Sequence, residues 1–429
     1  MKRFFQRDYQ RQPEPLAPPP PAPPTASSSL SSSASISHSS SGSFLGKIFT
    51  VGQYLCTVED IIAEGGFSLV FLVKANNGIR YALKRLYVNN EHDLAICRRE
   101  IDIARKLGSH KNIVKLVESS INYCGNEVHE IFMLMQHCKG QLLHLMNDRL
   151  QTGFTEAEIL RIMCDVCEAV ARMHHNDPSI IHRDIKVENI LISDDGNYML
   201  CDFGSATTKS LQLSDNGGRK SALSIEEEIK RYTTLAYRSP EMVDVYSGRP
   251  ITTKADIWAL GCLLYKLCYF ALPFGESTLA IQNAQLTIPD SHADRYSQRL
   301  TSLIAFMLSP DPEDRPDIYQ VSYLAFNLVG QESPIPNRNN VSKPIWCNLR
   351  VPPTETQARE IRHQRSSNND HRSNQSTATT NSSSNNVVSN SNHQQKQQQT
   401  AANHYHAEIE KTTTTVTPRQ RPKGLLIID

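Results

Sequence analysis

The sequence predicts an α+β fold in two unequal lobes, a small β-rich N-terminal lobe with one helix and a larger, mainly helical C-terminal lobe. Three observations predict it. Up to about residue 135, apolar runs at 56–63, 69–75, 79–87, 113–121 and 129–135 are separated by turn residues, the spacing of strands. A single helical pattern, 91–107, interrupts them. Beyond 135 the apolar periodicity becomes mainly helical.

The elements follow in order. Residues 12–24 are Pro-rich and 25–43 mostly Ser. Such a segment buries too little apolar surface to offset its ordering entropy, so 1–45 is expected to be disordered. Its proline run reads either as a ligand for an SH3-type partner or as a spacer. The folded domain is expected over 46–335. Thr155-Glu156-Ala157-Glu158 is a capping box that opens a helix with Ile159, Ile162, Met163, Val166, Val170 and Met173 on one face. Two short strands, 190–193 and 198–201, are joined by a turn at Asp194-Asp195-Gly196. Ile257 to Phe274 is apolar enough to suggest a membrane span, but it contains Lys266 and Pro273 and is short for one, so it reads as a buried helix. The remainder, 336–429, is expected to be a disordered tail, with Asn, Ser, Gln, Thr and His dominant from about 348 to 416.

Bulk properties narrow the function. Lys plus Arg number 45 against 44 Asp plus Glu, a net charge of +1, which argues against nucleic acid as a partner. The ten cysteines follow no repeated spacing. Cys164-x-x-Cys167 has no second pair to complete a zinc site, so reduced thiols packed in a cytoplasmic protein are expected. Met1-Lys2-Arg3-Phe4-Phe5 is basic but lacks the apolar stretch of a secretory signal, and Lys2 is incompatible with N-myristoylation.

Chemistry concentrates in His182-Arg183-Asp184-Ile185-Lys186-Val187-Glu188-Asn189, followed by Asp202-Phe203-Gly204. The pair matches the catalytic and metal-binding loops of protein kinases. Phosphoryl transfer through a loose transition state is catalysed by positioning and charge stabilisation, which explains the residue types. Asp184 is expected to orient the attacking hydroxyl and accept its proton. Lys186 is expected to neutralise γ-phosphate charge. Asn189 and Asp202 offer hard oxygen ligands for Mg²⁺. Upstream, Tyr81-Ala82-Leu83-Lys84 resembles the third-strand lysine motif, with Lys84 paired to the ATP phosphates and clamped by Glu100. Glu91 and Asp93 stand at the helix start and suit capping better. The phosphate-covering loop falls at Ala63-Glu64-Gly65-Gly66-Phe67-Ser68-Leu69-Val70, where Ala63 and Ser68 replace the first and third glycines of the usual G-x-G-x-x-G. The same kinase pattern puts Val70, Ala82 and Leu191 and the hinge Met135-Gln136-His137-Cys138 around the nucleotide. Ser239-Pro240-Glu241, Asp256-Ile257-Trp258 and Arg315 are expected to hold the helical lobe, with Arg315 pairing Glu241. Lys186 and Thr234 point to serine/threonine specificity, Thr234 bonding Asp184 and Lys186 beneath a short substrate side chain. Arg183 is expected to receive either a phosphate from the long activation segment, Asp202 to Glu241, or the built-in acids of Ile225-Glu226-Glu227-Glu228-Ile229-Lys230.

The match narrows further. Ala63–Lys74, Val88–Leu94, Tyr232-Thr233-Thr234-Leu235 and Lys254–Phe274 resemble the Numb-associated kinase family, in its adaptor-associated and inducible branch, over residues 45–335. The resemblance implies a serine/threonine kinase acting in clathrin-mediated endocytosis on the medium (mu) chain of a clathrin adaptor. It implies an extra helix after the activation segment and activity without an upstream kinase. It also implies a cytoplasmic location, at coated pits or the plasma membrane periphery, with peripheral recruitment in place of a transmembrane segment. Four features depart from the family. Ala104 replaces a larger residue in the apolar column that links His182 and Phe203 to Leu116, a cavity costing roughly 2–5 kcal/mol in a rigid site. The hinge lacks the family's acid and aromatic. Gly140 stands alone where relatives have two glycines. The tail lacks Asp-Pro-Phe and Asn-Pro-Phe motifs. A kinase-fold scaffold and a small-molecule kinase are the alternatives. The complete set Lys84, Glu100, Asp184, Asn189 and Asp202 opposes the first, and the pattern through Glu241 opposes the second.

Overall fold

Alternating apolar residues from 48 to 136 pair into one antiparallel sheet in the computed structural model, which describes residues 44–65, 68–212 and 218–376. The strands are β1 (Ile48–Val51), β2 (Tyr54–Glu64), β3 (Ser68–Ala75), β4 (Arg80–Val88), β5 (Leu116–Gly125) and β6 (Val128–Gln136), in spatial order β1-β2-β3-β4-β6-β5. Strand β1 has no counterpart in the sequence reading. One face of the sheet buries Phe71, Val73, Leu83 and Leu134. The other receives α1 (Glu91–Leu107), whose Leu94, Cys97 and Ile101 pack on Leu86, Val88, Ile131 and Met133. Helix α1 starts where Asn90 accepts a hydrogen bond from the Asp93 amide at 2.9 Å. It stops at Gly108, whose φ of 66° a side chain would resist.

The helical lobe comprises α2 (Leu142–Asp148), α3 (Glu156–His174), α4 (Gly218–Tyr232), α5 (Pro240–Val243), α6 (Thr253–Tyr269), α7 (Thr278–Asn283), α8 (Gln298–Met307) and α9 (Ile318–Val329). A small sheet, β7 (Gly140–Gln141), β8 (Ile190–Ile192) and β9 (Tyr198–Leu200), lies beside them. The expected capping box opens α3: Thr155 Oγ1 accepts from the Glu158 amide at 3.3 Å, and Glu158 accepts from the Thr155 amide at 2.8 Å. The apolar run at 257–274 forms the buried helix α6 as far as Tyr269, with Trp258, Leu260 and Leu264 fully enclosed, and Phe270 ends it. Among the described residues no helix is long and apolar enough to cross a membrane. All ten cysteines are free thiols, and no cluster of metal-ligating side chains occurs among the described residues. Burial pushes the Cys164 thiol up to about 12, in keeping with packing rather than reactivity.

Ordered contacts continue past 335, where the sequence reading starts its tail, with the short turn Trp346–Asn348 as the next element. Ile335 is buried, Gln320 Nε2 donates to the Ser342 carbonyl at 3.0 Å, and Trp346 Nε1 donates to Asn327 Oδ1 at 2.9 Å. Composition understates such order because a few anchors fix an otherwise irregular stretch. Among the described residues a second compact unit comprises 287–291 and 353–376. In it Ile288 bridges Thr354, and Asp290 accepts two hydrogen bonds from Thr356 at 2.8 and 3.0 Å, opening α10 (Glu355–Ser376). The Pro/Ser-rich segment and the chain after 376 lie outside the described residues.

Candidate active site

Lys84 occupies the middle of β4, paired with Val70 on β3 and Met133 on β6. Strand alternation buries Leu83 in one cluster and turns Lys84 to the opposite face, toward α1. There its Nζ meets Glu100 Oε1 at 2.7 Å and Asp202 Oδ1 at 3.6 Å. Burial works against the ammonium, but Glu100 and Asp202 outweigh it and hold its pKa above the ordinary lysine range. Glu100 is the clamp, as expected. Asp93 instead sits at the helix start and pairs with Arg231.

The loop at 182–189 converges on Asp184. Its Oδ1 accepts from Thr234 Oγ1 at 2.7 Å and its Oδ2 from Lys186 Nζ at 2.6 Å. Lys186 Nζ also donates to Thr234 Oγ1 at 3.0 Å, closing a triangle. Asn189 Nδ2 donates to the Asp184 carbonyl at 2.9 Å. The loop hangs from one buried carboxylate: Asp256, at the start of α6, accepts from the amides of His182 and Arg183 and from His174 Nε2, each at 2.8 Å. Those bonds hold Arg183 at a φ of 69°, a conformation that costs a non-glycine residue roughly 1–3 kcal/mol. Burial raises the Asp256 pKa, but the hydrogen bond and charge of His174 prevail, and the carboxyl stays below its usual range. The sequence reading gave Asp256 to the packing of the lobe. Its contacts with the loop lie 73 and 74 residues away along the chain, and His174 carried no signal at all.

Asp202 is half-exposed at a φ of 63°. Lys84 is the main influence holding its carboxyl below the usual value, so it stays ionised. A carboxylate beside an amide oxygen, with Asn189 steadied through its Nδ2, is a donor set that suits Mg²⁺. Phe203 packs edge-on against His182 at 5.7 Å between ring centroids. At Gly204 a Cβ would stand 3.3 Å from Glu100 Oε2 and 3.4 Å from Asp202 Oδ1, so a side chain would crowd both acids.

Above Lys84, β2 and β3 turn tightly, the Gly65 amide bonding the Ser68 carbonyl at 2.7 Å. Ala63 pairs with Val70, and Glu64 with Leu69. Gly66 and Phe67 lie outside the described residues. Ala82 pairs with Met135 at the end of β6, and Gln136, His137 and Cys138 lead on to β7. Cys138 Sγ is 3.9 Å from Met199 Sδ, and Met199 pairs with Leu191. Through Cys138 and Met199 the end of the large sheet is tied to the small sheet that carries Leu191.

The family model described as a protein kinase domain matches residues 56–326, which include every residue above. The chain belongs to the protein kinase domain family. This kinase domain is similar to a probable serine/threonine-protein kinase of Dictyostelium discoideum, 45% identical over 300 residues covering 68% of this chain and 26% of the relative. It is also similar to the serine/threonine-protein kinase sel-5 of Caenorhabditis elegans, 44% identical over 275 residues, 63% of this chain and 25% of the relative. An actin-regulating kinase of Saccharomyces cerevisiae is 39% identical over 303 residues, 68% of this chain and 36% of the relative. The chain thus spans only about a quarter to a third of the length of these curated relatives. They put the kinase domain in the serine/threonine class.

In this kinase the activation segment carries its own helix. The resemblance implied an extra helix after the segment, but α4 lies inside it, ahead of Thr234. Arg183 donates through Nε to the Ser205 carbonyl and through Nη1 to Glu228 Oε1, both at 2.6 Å. Of the two partners foreseen for Arg183, the acid run is the one in contact. Arg183, Arg99 and Arg231 stand 5.5, 6.0 and 5.6 Å from the Tyr232 ring centre. The Arg231–Asp93 pair joins α4 to the start of α1. Sequence spacing held no sign of that pair. With Ala104 buried in α1, the Lys84–Glu100 bond is nevertheless closed at 2.7 Å.

Proposed function

We propose that this chain is an ATP- and Mg²⁺-dependent kinase that phosphorylates serine and threonine hydroxyls of proteins. The observation that carries the reading is the closed triangle of Asp184, Lys186 and Thr234, with bonds of 2.6 to 3.0 Å. In this reading Asp184 aligns the substrate hydroxyl and takes its proton as the new oxygen–phosphorus bond forms and ADP leaves. Lys186 neutralises charge on the transferred group. Thr234 keeps the acceptor site fitted to a short side chain. Lys84, oriented by Glu100, binds the α- and β-phosphates. The turn between β2 and β3 covers the phosphates, while Val70, Ala82 and Leu191 enclose the adenine beside the hinge. Magnesium held by Asn189 and Asp202 would supply charge neutralisation across the phosphates.

Within the family we place the chain in the Numb-associated branch, acting in the cytoplasm on the mu chain of a clathrin adaptor at coated pits. The four matching segments support this, as does the yeast relative described as actin-regulating. Labelled ATP with Mg²⁺ and the full chain should mark a threonine of the mu chain, and Asp184→Ala should abolish the mark. Labelling of a generic protein but not of the mu chain would remove the endocytic role and keep the kinase. No transfer to any protein, with ATP still bound, would make the chain a scaffold.

The Arg183–Glu228 pair supports activity without phosphorylation of the activation segment. Phosphatase treatment is expected to leave kcat unchanged. Glu228→Gln is expected to lower it about 10- to 100-fold, the value of one charge-assisted hydrogen bond of about 1.5–3 kcal/mol. A phosphatase-treated chain that loses its activity would defeat this reading.

A further inference from the structure

Helix α4 ends at Tyr232, two residues before Thr234. Its ring is half-buried among three guanidinium groups from three parts of the fold. Arg183 of the catalytic loop stands 5.5 Å from the ring centre, Arg231 of α4 5.6 Å and Arg99 of α1 6.0 Å. All three fall within the about 6 Å over which a cation is drawn to an aromatic face. Two of them adjoin the reaction along the chain. Arg183 precedes Asp184, and Arg99 precedes Glu100, the clamp of Lys84.

Three like charges in one place repel, and acids answer two of them. Glu228 takes Arg183 at 2.6 Å, and Asp93 takes Arg231. Arg99 pairs with no carboxylate among the described residues. Its Nη2 is buried without a hydrogen-bond acceptor, and so is Nη2 of Arg183. Burial raises the pKa of the Tyr232 phenol, and the opposing pull of Arg231 and Arg99 does not reverse it, so the group stays neutral. The phenol oxygen is itself buried without a hydrogen-bond partner. What this side chain offers the arginines is therefore the negative face of its ring, not an oxygen. A ring also costs less to bury beside them than a third carboxylate would.

We propose that Tyr232 is a positioning residue whose ring, through cation–π contacts with Arg99, Arg183 and Arg231, fixes α1, the catalytic loop and the end of α4 in one arrangement. The inference rests on the kinase reading of the site and adds to it a residue that acts through others. By way of Arg99 the ring keeps Glu100 within reach of Lys84. By way of Arg183 it steadies the loop that presents Asp184. Glu228 cannot replace it, because that acid bonds Arg183 alone among the three arginines. The hydroxyl plays no part, since it has no partner to lose.

The test uses the full chain. Tyr232→Leu removes the ring and is expected to lower kcat about tenfold, and the conservative Tyr232→Phe is expected to rescue it. A purely packing role would give the same pair of results, so the electrons of the ring are varied at nearly constant shape. Phenylalanine carrying one, two and then three fluorines is placed at 232. Each fluorine draws charge from the face, so log kcat is expected to fall in steps, to about a tenth of the phenylalanine value at the third. Hydrogen exchange of the amides in 91–107 follows α1 without any need for catalysis, and it is expected to quicken about tenfold in the same order. In an Arg99→Gln chain the exchange should no longer respond to the fluorines. A parent chain that transfers no phosphate defeats the kinase reading alone, and the exchange series still decides whether the ring holds α1. Turnover and exchange that stay level across the fluorinated rings overturn the proposal, as does an exchange response that survives Arg99→Gln.

Discussion

Asp184→Asn is expected to lower kcat for phosphoryl transfer by about a hundredfold to ten-thousandfold, the value of a positioned general base, and to leave ATP affinity unchanged. The carboxylate takes three side-chain contacts at once, from Lys186, Thr234 and, at 3.4 Å, Asn189. An amide keeps the shape of the group but cannot accept the substrate proton. Two of those donors would then face an Nδ2 or a weaker acceptor, so Lys186 would lose its fixed place. Each tenfold loss corresponds to about 1.36 kcal/mol of transition-state stabilisation. Radiolabel transfer under saturating ATP measures the change, and fluorescence titration with a nucleotide analogue measures the affinity. A variant that keeps more than about a tenth of parental turnover would mean that the substrate proton leaves by another route. The Asp184 role would then be orientation alone.

The second large effect concerns stability. Glu241→Ala is expected to destabilise the helical lobe by about 3–5 kcal/mol, a large share of the about 5–15 kcal/mol that holds a domain folded. Arg315 and Glu241 are both fully enclosed and bond bidentately at 2.8 and 3.0 Å. Arg315 also donates to the carbonyls of Ser309 at 3.0 Å and Lys254 at 2.7 Å and lies over the Trp258 ring at 5.2 Å. Removing the acid leaves a buried guanidinium short of its counter-charge among groups that stay in place. The double variant Glu241→Ala with Arg315→Leu removes both charges and is expected to recover part of the loss. Urea titration of the full chain, followed by tryptophan fluorescence, reads the midpoint. Equal midpoints for Glu241→Ala and the parent would show that the pair adds nothing to stability.

Much of the site can be read from sequence because phosphate chemistry fixes both residue type and order. Lys84, Glu100, the Asp184–Asn189 loop and Asp202 come from four separate segments, and the fold brings the first two within 2.7 Å. Thr234 beneath Asp184 was legible for the same reason: the substrate's size dictates it. The capping box at Thr155 needs only local spacing, and α6 only its apolar length. What escaped was fixed by distant partners. Strand β1 has four residues, too few for a period to show, and is defined by its pairing with β2. Arg231 and Asp93 are 138 residues apart, and His174 and Asp256 are 82 apart. The ordered stretch after 335 depends on Trp346 reaching Asn327, 19 residues back along the chain, which local spacing does not reveal.

Glu228 against Arg183 has a further consequence. A charge written into the chain arrives with translation and has no phosphatase. A phosphate in its place would need one enzyme to install it and another to erase it. A kinase built this way is throttled by supply and address: how much is made, where its flanking segments take it, and which hydroxyls it meets there.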